Sequence, residues 1–326
     1  MAGNANVSVI VATYNRAHLI TRALDSVARQ TEPPGEIVVV DDASQDDTAM
    51  VVERWAADSP IPVQLVVSPR NRGLGASRNT AMQAARGSLF APLDSDDEYL
   101  PHALATLAPM LDRHAQAVVA FADGLVTFAD GRPPHRHLAR RLAPGAGTTA
   151  LGRDGDFRLD SPQEHFLTTS FIPTCSVVFR RSAAEAAGWM PELRYGEDWL
   201  FWLRLTELGE FVCRFEDVSI IHRQGDNLTD EANALFNARQ ITASLASIRH
   251  DDHIALTEAQ SARLDRAIAE QAAAHRYFAS RDGLATYWRE LRSLAPETGL
   301  NPTTSLLAHP RDLARALASS FRRSGG

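Results

Sequence analysis

Four short apolar runs punctuate the first hundred positions, the first three rich in β-branched residues, and a stretch of different rhythm follows each of those three. The runs are Val7–Thr13, Glu36–Val40, Val63–Val67 and Leu89–Leu93. Their length and near-continuous apolarity suit strands covered on both faces. After the first, Leu19, Ile20, Ala23, Leu24 and Val27 recur at helical spacing. After the second, a helix is expected from about Asp46 to Ala57, with acidic residues at its start, where the helix dipole favours them. After the third, a helix is expected to run to about Arg86. Strand and helix in alternation predict a parallel α/β sheet with right-handed crossovers. Ligands of such sheets sit at the carboxyl ends of the strands. Tyr14, Asp42, the loop from Arg70 to Gly75 and the turn from Asp94 to Asp97 all fall at such ends.

The fourth run delivers three carboxylates, Asp94, Asp96 and Asp97, within four residues, with Glu98 following. Like charges this close repel, and burying them is costly. A divalent cation bridging a diphosphate would turn the repulsion into binding, because magnesium and manganese take oxygen ligands and commonly use one or two carboxylates plus substrate phosphates. An acidic turn or a helix N-cap would also use Asp here.

Beyond residue 100 the alternation loosens. A helix is expected from about Leu100 to His114, then a strand near Ala117 to Ala122. The segment from Asp130 to Pro162 is rich in Gly, Pro and Arg and has no period, so it reads as a long functional or disordered loop. Strand character returns at Cys175–Phe179. An amphipathic helix then carries Glu197 and Asp198 at its entry, and short strands are expected at Phe211–Phe215 and Val218–His222. From about Leu228 the pattern is helical, with a stripe of Leu235, Ala238, Ile241, Leu245 and Ile248 and further helices near 257–280 and 282–294. The last helix places Leu313, Leu317 and Phe321 on one face and Arg311, Arg315 and Arg322 on the other. Such a helix suits an anionic membrane surface, a homodimer, or docking on the body of the protein.

Composition narrows the partners. The net charge of -7 argues against a nucleic-acid binder. All 33 basic residues are Arg, so any cationic phosphate anchor must be a guanidinium fork. Two cysteines, Cys175 and Cys213, make neither a disulfide framework nor a zinc site. The N-terminal apolar run is only strand-length with no basic segment before it, and no run approaches a membrane span of ~20 residues. The expected location is the cytoplasm, with peripheral contact at the inner face of a membrane as the alternative.

Five pieces taken in order, Val7–Arg16 (VSVIVATYNR), Ile37–Thr48 (IVVVDDASQDDT), Asn71–Asn79 (NRGLGASRN), Leu93–Asp97 (LDSDD) and Gly196–Trp199 (GEDW), resemble the family 2 glycosyltransferases. The resemblance covers residues 7 to about 222. It implies the GT-A nucleotide-diphospho-sugar transferase fold, a mostly parallel sheet flanked by helices, with a C-terminal helical region added here. It divides the chain into a nucleotide-sugar half (1–98), an acceptor half of the same domain (99–222), and a lid segment with the helical region (223–326).

The same resemblance implies roles. Asp42 accepts a hydrogen bond from the base, and Thr13 and Tyr14 line the base and ribose pocket. Arg16, Asn71, Gly75, Arg78, Asp94, Asp96 and Arg223 belong to the donor site. Asp97 and Asp96 ligate a divalent metal, Mn2+ or Mg2+, which acts as a Lewis acid on the departing diphosphate. Asp198 is the base that deprotonates the acceptor hydroxyl for a single, inverting displacement. Glu197, Trp199 and Trp202 line the acceptor site, the two indoles as sugar platforms or, equally in keeping with an apolar helix, as core. Many relatives close over the diphosphate with an Arg-x-His segment. Here Gln224 stands at the His position in the register of Asn227-Leu228-Thr229, with His222 two residues earlier as the candidate substitute ligand.

The implied reaction is transfer of a sugar from a nucleotide-diphosphate donor, by default a UDP-sugar, to a glycan, lipid-linked, peptide or small-molecule acceptor. A sugar-1-phosphate nucleotidyltransferase would need a Gly-rich loop where Tyr14-Asn15-Arg16 stands. An inactive sugar-nucleotide binder would have no use for Asp96, Asp97 and Asp198 together.

Overall fold

In the computed structural model, which describes residues 4–193, 195–224, 234–299 and 301–324, the four apolar runs are strands and lie side by side. They are β1 (Val7–Thr13), β2 (Glu36–Asp41), β3 (Val63–Val67) and β4 (Leu89–Asp94), joined by α1 (Ile20–Ala28), α2 (Thr48–Ala57) and α3 (Leu74–Ala84). All pairings among them are parallel, in the order β3-β2-β1-β4. Every residue of β1 and β2 is buried. That burial explains why these runs read as continuous apolar stretches instead of alternating ones.

The chain continues through β5 (Glu98–Tyr99), α4 (Ala103–Arg113), β6 (Ala117–Phe128), β7 (His135–Arg136), β8 (Thr148–Leu151), β9 (Asp156–Leu159), α5 (Pro162–Phe166), β10 (Val177–Arg180), α6 (Arg181–Ala186), α7 (Glu197–Leu205) and β11 (Glu210–Arg223). The full sheet order is β3-β2-β1-β4-β10-β6-β11-β9-β8, with β5 on β11 and β7 on β6. β10 runs antiparallel to both β4 and β6, so the sheet is mixed. β6 and β11 are parallel and carry their last residues, Phe128 and Arg223, to the same end as Asp94 of β4.

Two expectations are corrected here. The two short strands read at 211–215 and 218–222 are one strand, β11, whose register against β6 shifts between Arg214 and Ser219. The aperiodic stretch from 130 to 162 holds three short strands and a 3-10 turn, with the β8–β9 hairpin covering the edge of β11. An edge hairpin with polar outer positions has too little apolar content to announce itself by period.

That hairpin is fixed by charge. The Asp156 side chain is fully buried and takes Arg113, Arg214 and His114 at 3.0 Å or less. Burial alone would raise its pKa, but the hydrogen bonds from Arg113, Arg214 and His114 outweigh it and hold the carboxyl below its ordinary value. A depressed carboxyl adds stability above its unfolded pKa and loses it as pH falls through the lower folded value. Asp156→Asn is therefore expected to lower the urea midpoint at neutral pH by an amount matching about 2–3 kcal/mol, allowing for hydration of the two half-buried arginines. The gap to wild type should close as pH drops below about 4. A gap that is constant down to pH 3 would show that the ion cluster is not its origin.

Residues 226–326 form a second compact unit, distinct from 1–225. Its helices are α8 (Ala234–Arg249), α9 (Glu258–Arg281), α10 (Leu284–Thr298), α11 (Pro302–Ala308) and α12 (Pro310–Ser324). In α8, Ala238, Leu245 and Ile248 of the expected stripe are buried. α9 starts at a capping box in which Thr257 and Gln260 satisfy each other's backbone N–H. Ala279, Tyr287, Leu291 and Ala316 make a small core between α9, α10 and α12. Among the described residues no helix is long and apolar enough to cross a membrane. Of the expected lid segment that begins at residue 223, residues 225–233 lie outside the described residues.

Candidate active site

The loops that follow β1 and β2 are stitched together by polar groups. Asn15 N donates to Ser44 Oγ, Arg16 N to Thr48 Oγ1, and Gln45 N to Asn15 Oδ1, all at 2.9 Å or less. Asn15 and Ala43 both adopt positive φ, which tight turns demand. Against this frame Thr13 is buried with its hydroxyl unpartnered, and the Tyr14 ring is 43% exposed. An orphaned buried hydroxyl beside an open aromatic ring is a place where a planar polar ligand can dock.

Asp42 is buried at the same edge, and its carboxylate accepts the backbone N–H of Arg72 at 2.9 Å and of Gly73 at 2.7 Å. It therefore holds the loop ahead of α3, while Asn71 in that loop stands exposed. Gly75, expected at the donor site, also meets a packing demand. A Cβ at Gly75 would sit 2.6 Å from the carbonyl oxygen of Pro191 and 3.2 Å from Cβ of Glu197. Only a glycine lets the first turn of α3 approach the start of α7 this closely. Asn79 fixes the same junction by exchanging hydrogen bonds with both backbone groups of Met190.

Arg78 is the centre of the site. Its guanidinium, 3% exposed, donates to Asp94 at 2.5 Å and to Glu197 at 2.8 Å. One cation thus ties the Asp-rich turn after β4 to the carboxylate pair that opens α7. Arg78, expected at the donor site, serves these two carboxylates, and Glu197, expected at the acceptor site, faces Arg78.

Asp198 follows Glu197 on the first turn of α7, after Gly196 in the left-handed conformation. Its carboxylate accepts the N–H of Trp199 at 2.7 Å and lies 3.5 Å from the Thr174 hydroxyl. Burial raises its pKa, while Arg78 and the Trp199 N–H oppose the rise. Burial also pushes Glu197 up, helped by Asp198 and opposed by Arg78. Tyr195 sits in the same field. Its hydroxyl is pushed up to about 12 by burial and by Asp198 and Glu197, with Arg223 pulling the other way.

In the Asp-rich turn, Asp97 is buried and Asp96 half-buried. Asp97 accepts the backbone N–H of His222 at 2.9 Å and the Cys175 thiol at 3.3 Å. Burial raises its pKa well above the usual range, and the charges of Asp94 and Asp96 add to the rise. Asp96 lies 4.0 Å from the Arg16 guanidinium, and its carbonyl accepts from Arg22. The His222 ring, read as a candidate metal ligand, meets Glu98 through Nε2 at 2.8 Å and the Thr127 hydroxyl through Nδ1 at 3.1 Å, while its backbone N–H serves Asp97.

Among the described residues no group of three or more His, Cys, Asp or Glu is arranged to hold a metal. Asp96 and Asp97 alone, two neighbouring carboxylates, match the donor number of a cation that takes one or two protein oxygens and the rest from substrate phosphates.

Both indoles leave the acceptor surface. Trp202 is fully buried against Phe179 and Phe201, with ring centroids 5.6 and 5.3 Å away. Trp199 is 5% exposed and donates its ring N–H to the carbonyl of Phe166. Their large apolar area belongs to the core. Sequence reading missed Thr174 and Cys175 as site neighbours. Their contacts with Asp198 and Asp97 bridge distant segments, and no local pattern marks them.

A mixed sheet with carboxylates gathered at its strand ends and a helical region appended defines the nucleotide-diphospho-sugar transferase fold. Residues 8–187, more than half of the chain, match the model of glycosyl transferase family 2, and the chain belongs to that family. An uncharacterized protein of Mycobacterium tuberculosis is 28% identical over 236 residues, which is 69% of this chain and 61% of that protein. The chain thus spans about three fifths of the length of the curated relatives it matches first. The crystal structure of Staphylococcus aureus TarS 1-349 in complex with UDP-GlcNAc superposes with a TM-score of 0.61 at 22% identity, covering 89% of this chain and 80% of that one. The mannosyltransferase PcManGT from Pyrobaculum calidifontis, in complex with GDP-Man and Mn2+, gives 0.57 at 22% identity over 96% of this chain and 83% of that one.

Proposed function

We propose that the chain is an inverting glycosyltransferase that moves a sugar from a nucleoside-diphosphate donor to an acceptor hydroxyl. The observation that carries this is the Arg78 bridge, which brings the Asp-rich turn and the Glu197–Asp198 pair into one site. The donor end comprises Thr13, Tyr14 and Arg16, with Asp42 shaping the loop that bears Asn71. Asp96 and Asp97 are the residues that would hold a Mn2+ or Mg2+ ion, which when bound supplies positive charge to the leaving diphosphate. Arg223, at the end of β11, adds a further cation near Tyr195. Asp198 takes the acceptor proton as the hydroxyl attacks the anomeric carbon. Attack on the side opposite the leaving group inverts the centre. A carboxyl whose proton affinity is raised by burial is a better base than an ordinary one.

Structural neighbours of the same fold are solved with UDP-GlcNAc and with GDP-Man plus Mn2+, which leaves uridine and guanosine diphosphates as the first donors to try. The acceptor is a glycan, lipid-linked sugar, peptide or small molecule meeting the residues around Thr174 and Asp198.

The test is thermal unfolding of the full chain with each nucleoside diphosphate, with and without Mn2+. A ligand at a hundred times its Kd adds about 2.7 kcal/mol by mass action. One nucleotide is expected to raise the transition by several degrees only with the metal present, and Asp96→Ala should remove the metal requirement or the binding. No rise with any nucleotide, with or without metal, would rule the donor reading out.

A further inference from the structure

We propose that the C-terminal helix α12, with the end of α11, is an anionic-lipid docking surface; the inference stands independently of the transferase reading. The expected apolar face of Leu313, Leu317 and Phe321 does not act as one unit. Leu313 and Ala316 turn inward onto the core of Tyr287 and Leu291, and the Ser320 hydroxyl accepts the N–H of Leu284 at 2.8 Å. Leu317 and Phe321 turn outward, 39% and 76% exposed, and Leu307 on α11 is 70% exposed. At 100° per residue Leu317, Phe321, Ala314 and Ala318 form one outward stripe, and the exposed Arg311 borders it.

The segment that carries the stripe is charged oppositely to the rest of the chain. Residues 276–326 hold eight arginines against four acidic residues, in a chain whose net charge is -7. Two of the eight, Arg322 and Arg323, directly follow Phe321 in sequence. Arg315 folds its guanidinium over the Tyr277 ring, 4.5 Å from the centroid. Of the nine large hydrophobic side chains exposed among the described residues, five (Tyr277, Trp288, Leu307, Leu317 and Phe321) fall in this basic segment.

An aqueous surface gains nothing from outward Leu and Phe. An interfacial helix uses them, sinking its apolar stripe into the headgroup boundary while bordering arginines meet lipid phosphates. The acidic remainder of the chain is repelled by the same surface, so only the basic segment can face it. Charge complementarity thus selects an anionic bilayer over a second copy, since two copies would set like-charged arginine borders together.

The experiment is co-sedimentation of the full-length chain with vesicles of phosphatidylcholine, with and without phosphatidylglycerol. Wild type is expected to partition at least about tenfold more strongly onto the phosphatidylglycerol vesicles, less so at high salt. Leu317→Asp combined with Phe321→Asp should cut that partitioning by about tenfold or more, and the thermal transition of the double variant, measured alongside, shows that it is folded. Arg311→Glu should weaken it by a smaller factor that vanishes at high salt. Absence of binding, equal binding to both vesicle types, or full binding by the double variant would overturn the proposal. So would a concentration-dependent dimer in lipid-free buffer that the double variant abolishes, which would make the stripe a self-association face.

Discussion

Asp198→Asn is expected to lower turnover by about two to four orders of magnitude while leaving nucleoside-diphosphate affinity within about twofold of wild type. The substitution keeps the shape of the side chain and an oxygen that can accept from the Trp199 N–H, so the start of α7 has no reason to move. It removes the only property the displacement needs there, the capacity to take a proton. The pH profile supplies a second reading. Burial raises the Asp198 pKa, so its basic form is lost as pH falls through a value above the ordinary carboxylate range. Wild-type turnover should fall on the acid side with that midpoint, and the limb should be missing from the residual activity of the Asn variant. Retention of more than a tenth of wild-type turnover would remove Asp198 from the chemistry. A parallel loss of nucleotide affinity would mean that the residue supports the donor instead.

How much of this was legible beforehand depends on distance along the chain. β1, β2 and β4 can be read because each is a short, almost wholly buried apolar run closed by turn-forming Asp or Asn, and the partly exposed β3 by its Val and Leu content. The Asp-rich turn could be read because its three carboxylates are contiguous. The Arg78–Glu197 bridge could not, since 119 residues separate its ends and each end has an innocent local reading. The resemblance places Gly75 at the donor loop, but the close approach of α3 to α7 that it permits appears only once α7 is in place. The backbone N–H of His222 on Asp97 is equally beyond a local pattern, because 125 residues separate the two. The β8–β9 hairpin was invisible because its anchor, Asp156, is a buried charge, and a sequence pattern treats charge as surface.

Arg78→Ala should be among the most damaging single substitutions to folding, at about 3–5 kcal/mol, the range for stranding a buried charge. The two partners will not suffer equally. The Asp94 side chain is 31% exposed and can be rehydrated, whereas that of Glu197 is 5% exposed and enclosed by Gly75 and Pro191. Without Arg78, Glu197 must stay protonated or unfold its surroundings. Its folded pKa, already raised by burial and by Asp198, would rise further. A carboxyl with a raised folded pKa loses stability as pH climbs above its unfolded value. The deficit of Arg78→Ala should therefore be small near pH 4, where carboxyls bind protons in both states, and grow toward neutrality. Adding Glu197→Gln should recover part of the loss, because the neutral amide needs no cation, and the double-mutant cycle measures the coupling directly. Arg78→Lys should recover less than the charge alone suggests, since one ammonium cannot present a planar fork to two carboxylates. Urea unfolding across pH of the four variants decides the matter. If Arg78→Ala costs less than about 1 kcal/mol at neutral pH, or if Glu197→Gln restores nothing, the bridge does not hold the two halves of the site together, and the convergence of the Asp-rich turn with the Glu197–Asp198 pair has another cause.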